Sequence, residues 1–216
     1  MTKRILSVLL ALLFAMTVFV ACDKEPVENN DATENNGENT EVATPVAENA
    51  EDLLTKAYQA FAENLAPAFD MPAEDIMMAF MGGYYDENDE TTLKQGPGNV
   101  PVDNDAIATI ALLPADVAAK VDSAAMFQHP MMTNFFVGAA FRVTNAADVE
   151  AVANALKDAI ANNHWMCGQP EGYYVITIDN FVVSTYGLMD NINALKDAIV
   201  ATYEGAVVAT EGSFIG

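Results

Sequence analysis

Phe135-Phe-Val-Gly-Ala-Ala-Phe-Arg-Val143 is a nearly continuous apolar run of strand length, and no other stretch of the chain limits the fold as much. A strand with one buried face alternates apolar with polar residues. A run that is apolar throughout needs cover on both faces or a central place in its sheet. The residues that follow start to supply that cover. Asn145-Ala-Ala-Asp148 resembles a helix cap, and Val149, Val152, Leu156 and Ile160 come after it at helical spacing, giving a strand-helix unit.

Further on, Tyr173 to Ile178 and Phe181 to Tyr186 flank Asp179-Asn180, residue types that tolerate the positive φ of a two-residue hairpin. With that loop, Tyr174, Ile176 and Ile178 share a face with Phe181, Val183 and Thr185, a face expected to meet helices. Tyr173, Val175 and Thr177 lie opposite with Val182, Ser184 and Tyr186. A last helix is expected from Leu188 to about Tyr203, with Ile192, Leu195 and Ile199 turned inward. The heptapeptide Asn-Ala-Leu-Lys-Asp-Ala-Ile occurs twice, at 154–160 and 193–199. In each copy Leu and Ile are four apart and share one face, while Lys and Asp point to water. Upstream, Leu54, Ala57, Tyr58, Phe61 and Leu65 mark one helix, and Asp70-Met-Pro72 starts a second that ends at Gly82-Gly83. Residues 84–105 show no periodicity and read as a long loop. Ile107 to Leu112 reads as a short strand, and Pro114 opens a helix carrying Val117, Val121 and Ala125 on one face. The expected class is α+β: a small mixed sheet, strand 135–143 plus hairpin 173–186, backed by helices, with an N-terminal helical segment.

The start of the chain concerns location. Lys3 and Arg4 precede the apolar stretch Ile5 to Ala21, which is short for a helix spanning a hydrocarbon layer roughly 30 Å thick and reads as a cleaved leader. Phe19-Val-Ala-Cys22 resembles a bacterial lipobox, whose cysteine is acylated and becomes the mature N-terminus. Cys22 is thus the expected lipidation site, and the expected location is the extracytoplasmic side of the cell membrane. Residues 22–49 are rich in Asn, Glu, Thr and Pro and read as a disordered acidic linker; about 27 such residues reach about 30 Å as a random coil. Residues 50–216 then form one globular domain. Cleavage removes two of the nine basic residues and leaves seven against 31 acidic ones, a formal charge of −24. Nucleic acid is excluded as a partner, because phosphate polymers are bound by neutralising them with Lys and Arg. Only Cys167 remains as a second cysteine, so no disulfide within the domain is available and the fold stands on its core.

Catalytic signatures are missing: there is no Gly-x-Ser-x-Gly, no phosphate-binding Gly-x-x-x-x-Gly-Lys, no His-Glu-x-x-His and no Cys-x-x-Cys. The chain reads as a non-enzyme with no expected cofactor. Asp86-Glu-Asn-Asp-Glu90 gathers oxygen ligands for calcium, but Thr91 stands where an EF-hand loop needs Gly and Pro97 where it needs Glu. Met126, His129, Met131 and Met132 form one group of soft ligands, and His164, Met166 and Cys167 a second. Thioether, thiolate and imidazole together suit Cu(I), while Met packed as a gap filler is the plainer account. A protein, peptide or glycan could instead dock on an open sheet face presenting Tyr173 and Tyr186; if another element covers that face, the two tyrosines are core.

The lipobox and acidic linker come first, then Leu113-Pro-Ala-Asp116 opening a helix, Pro130-Met-Met132 before a strand, Asp148-Val-Glu150 in a helix, and Val175-Ile-Thr-Ile-Asp-Asn-Phe-Val-Val183 as a hairpin. Over roughly 112–203 this layout resembles an uncharacterised Firmicutes lipoprotein domain family, the domain of unknown function numbered four-three-five-eight. The resemblance implies a membrane-anchored extracytoplasmic domain and brings no catalytic residue with it.

Overall fold

The computed structural model describes residues 46–166 and 168–215, which belong to the compact unit Ala43–Gly216. Cys22, the leader and most of the linker lie outside the described residues, as does Cys167. In chain order the elements are α1 (Ala50–Phe69), α2 (Ala73–Ala79), β1 (Met81–Gly83), β2 (Leu93–Gln95), β3 (Gly98–Val100), α3 (Asp105–Thr109), α4 (Ala115–Ala118), β4 (Val121–Gln128), β5 (Phe136–Val143), α5 (Val149–Ala161), β6 (Gly172–Ile178), β7 (Phe181–Gly187), α6 (Met189–Thr202) and β8 (Val207–Ser213). The α+β class holds. The sheet has eight strands, in the order β2-β1-β4-β5-β7-β6-β8 with β3 also on β4. Every described pairing is antiparallel, so the expected small mixed sheet is instead a broad antiparallel one.

The run 135–143 behaves as its composition requires. β5 lies between β4 and β7, and successive residues enter different cores. Phe136 and Ala140 join the first, with α1 and α6; Val137, Ala139, Phe141 and Val143 join the second, with α5. The hairpin has the expected register, Ile178 opposite Phe181 and Tyr173 opposite Tyr186, and Asp179 takes φ 50° in its two-residue turn. Asn145 caps the entry to α5 by accepting from the Ala147 amide at 3.1 Å. α1 is capped by Asn49, which accepts from the Asp52 amide at 2.9 Å, and α6 packs along it. Tyr203 Oη donates to the Leu53 carbonyl at 2.6 Å and Asn64 Nδ2 to the Ala194 carbonyl at 3.2 Å. The repeated heptapeptide thus works on opposite sides of one sheet. Leu156 and Ile160 seal the second core and Leu195 and Ile199 the first, while Lys157–Asp158 and Lys196–Asp197 pair outside at 2.9 Å.

Four expectations need correction. The second helix ends at Ala79, and Gly82 and Gly83, expected to stop it, belong to strand β1. Ile107 to Leu112 is not a strand, because Asn104 caps α3 by accepting from the Ala106 amide at 2.9 Å; Ile107 goes into the core and Leu112 takes φ 59°. The helix after Pro114 lasts one turn, and Val121 and Ala125 belong to β4. That strand is buried on both faces and therefore lacks the alternation that marks strands in sequence. The loop 84–105 contains β2 and β3. These form where backbones approach closely: a Cβ on Gly82 would lie 2.1 Å from the Gly96 carbonyl oxygen, and one on Gly98 would lie 2.4 Å from the Gly83 nitrogen. Only glycine fits at those two crossings.

Candidate functional site

The end of the sheet where β4 stops and β5 begins carries the chemistry. His129 leaves β4, and its amide donates to the Phe136 carbonyl at 3.0 Å, so the connection Gln128–Phe136 is closed at its base. Inside the turn, His129 Nδ1 accepts from the amides of Met131 and Met132, each at 3.3 Å. A one-turn 3-10 helix, Thr133–Phe135, follows. The imidazole ring lies edge-on to Phe80 and Phe135, 6.4 and 5.4 Å between centroids, and its burial there lowers its pKa. With Nδ1 accepting, the neutral ring carries its proton on Nε2.

The connection from α5 to β6 meets this turn. Asn134 Nδ2 donates to the Met166 carbonyl at 2.7 Å and to the Gly168 carbonyl at 2.6 Å, clipping two loops more than thirty residues apart. Met131, Met132 and Met166, with Thr133 and Asn134, line a cavity of about 240 Å³ open to solvent. The two groups of soft ligands expected from the sequence therefore meet, but only in part. Met126 is 1% exposed and packs in the second core, where its role is filling. His129 organises the turn and His164 is exposed, and neither lines the cavity. Asn134, which joins the loops, had no signal in the sequence, because a lone Asn before a strand is compatible with any turn.

The other proposed surface is absent. Tyr173 and Tyr186 form the expected cross-strand pair, but they are 8% and 3% exposed, and the face that carries them is covered by α5, by Trp165 and by Phe214. Trp165 packs on Tyr186 and Phe214 on Tyr173, at 4.8 and 5.6 Å between centroids. Tyr186 Oη donates to the Ile110 carbonyl at 2.8 Å, and burial pushes its phenol pKa well up. Both tyrosines are core residues, because the face they share is roofed.

The acidic loop spends its carboxylates locally. Asp86 Oδ1 accepts from the Asn88 amide at 2.9 Å, and Asp89 Oδ1 accepts from the Thr91 hydroxyl and amide at 2.6 and 3.0 Å. The Thr91 hydroxyl, then its amide, hold the Asp89 pKa below the usual carboxylate value. Among the described residues no three His, Cys, Asp or Glu side chains gather to hold a metal, and no hydrogen bond or ion pair joins either histidine to a carboxylate. A second, polar cavity of about 250 Å³ lies beside the Lys94–Glu51 ion pair, with Tyr84 and Asn99 in its wall. No helix among the described residues is long and apolar enough to cross a membrane. Comparison of the chain with family models, curated proteins and solved structures finds no match in any of the three.

Proposed function

We propose that the chain is a lipoprotein held at the extracytoplasmic face of the cell membrane through acylated Cys22, and that its α+β domain works there by binding rather than by catalysis. The observation that carries this reading is the order Lys3-Arg4, Ile5 to Ala21 and Phe19-Val-Ala-Cys22: a positive start, an apolar core too short to span comfortably, and a cysteine at the cleavage point. The strongly acidic domain supports it, since like charge holds the body off an anionic lipid surface while the tether keeps it near. A binding role is favoured over a catalytic one by the two histidines. His129 is committed to two backbone amides between two phenyl rings, and His164 is exposed and does not line the cavity. Neither has the base-and-orienter geometry of a hydrolytic relay.

The test is Cys22→Ser in a bacterial host fed labelled palmitate. The expected result is loss of label and release of the chain from the membrane fraction. A variant that labels and sediments like the wild type would remove both the address and the role.

A further inference from the structure

Met131 and Met166 are 86% and 79% exposed. Gap filling explains Met126 and cannot explain these two, since neither is inside. Single exposed apolar side chains are ordinary, but long ones grouped at adjoining loops mark a candidate contact or ligand site. Their setting is organised: His129 draws in the amides of Met131 and Met132, and Asn134 grips the loop carrying Met166 by two carbonyls. The result is three thioether side chains around one cavity, with Thr133 and Asn134 as neutral polar neighbours and, among the described residues, no carboxylate or imidazole in the lining.

We propose that Met131, Met132 and Met166 form a binding site for a soft monovalent d10 cation, Cu(I) or its analogue Ag(I). Thioethers are neutral, polarisable donors that favour such ions. Zn(II), Ca(II) and Mg(II) favour imidazole or oxygen anions, which the described residues of this lining do not supply. The acidic body, 31 Asp+Glu against 9 Lys+Arg over the full chain, raises the local concentration of cations without supplying hard ligands in the cavity. Thioethers carry no proton to displace, so binding forms sulfur–metal bonds and releases none. The site stands independently of the lipid anchor, because its residues all lie in the folded domain.

The probe is Cu(I), offered anaerobically to the full chain in detergent against a chromogenic Cu(I) chelator. One Cu(I) per chain is expected, with X-ray absorption showing a shell of sulfur alone. The Met131→Leu/Met166→Leu double variant keeps apolar volume at two exposed positions, so it folds, and its Cu(I) affinity is expected to drop at least tenfold. Cys167→Ser on its own is expected to change affinity less than threefold. The proposal is overturned if the wild type takes up no Cu(I), if the double variant binds as well as the wild type, if nitrogen appears in the metal shell, or if Cys167→Ser alone abolishes binding. Anchor failure would be visible separately, as loss of palmitate labelling with Cu(I) uptake intact.

Discussion

The two faces of the sheet are closed in different ways, and the repeated heptapeptide makes the contrast an internal experiment. On the α1/α6 face, Phe61 lies 5.2 to 5.3 Å, centroid to centroid, from Phe80, Phe127 and Phe136, with Tyr58 at 5.9 Å. Two long helices lie over that cluster. On the other face one long helix, α5, shares the cover with the short α3 and α4, and the rings collect at the Trp165 end. The same Asn-Ala-Leu-Lys-Asp-Ala-Ile serves both. A local pattern therefore specifies which side of a helix is buried, and the surrounding residues decide what it is buried against.

The sharpest way to break the comparison is to remove a ring from each face. Phe61→Ala is expected to cost about 4 kcal/mol, at the upper part of the range for buried Phe, since four ring contacts go with the cavity. Phe141→Ala, on the second face with no ring pair among the described residues, is expected to cost nearer 3 kcal/mol. Equal shifts in urea midpoint would remove the special standing of the aromatic side. The matched leucines sharpen the point with smaller effects. Leu195→Ala is expected to cost about 3 kcal/mol and Leu156→Ala about 2 kcal/mol. Leu195 is wedged over Gly138, where an added Cβ would meet its Cδ2 at 2.6 Å, so its loss leaves a hole with little freedom to collapse. The reverse order in chemical denaturation would sink that argument.

The smallest effects come from phenols, which both faces use alike. Burial raises the pKa of Tyr58 and Tyr203 on the first face and of Tyr186 on the second; for Tyr203 the charge of Asp52 adds to it. A raised folded-state pKa means that the stabilisation is complete below the unfolded value near pH 10 and is lost as pH climbs beyond it. Tyr203→Phe is expected to lose about 1 kcal/mol at pH 7, with the hydrogen bond to Leu53, and to flatten the fall in stability above pH 10. Melting curves from pH 8 to 11.5 check this; an unchanged alkaline slope would count against burial as the cause.

What the sequence disclosed follows the same division. Long periodic stretches such as α1, α5 and α6, and the hairpin with its Asp179-Asn180 turn, were legible because spacing and turn chemistry act locally. β4 was not, since Ala124, Ala125, Met126 and Phe127 are buried on both sides and the residues before them mimic a helical stripe. β1, β2 and β3 have three residues each and exist because glycines let their backbones meet, a property of the assembled sheet. β8 pairs along β6 with alternating half-exposed residues and had drawn no assignment. At the site, the methionines were visible as soft ligands, but their sorting into one buried filler and three around a cavity depends on Asn134 and on where β4 ends. The tyrosine pair was legible as a pair, but the sequence does not decide between docking surface and core, because that depends on the roof that α5, Trp165 and Phe214 build over it.

The bond from Tyr203 to Leu53 spans 150 residues. It ties the first helix of the domain to the last, so the cover on the aromatic side of the sheet is complete only once α6 is present. Without α6, the cluster of Phe61, Phe127 and Phe136 lacks the side chains that this helix adds to the same core, and contacts this distant in sequence form late. A chain that needs its final helix before this core can set is expected to become rigid only when all of it is available to fold.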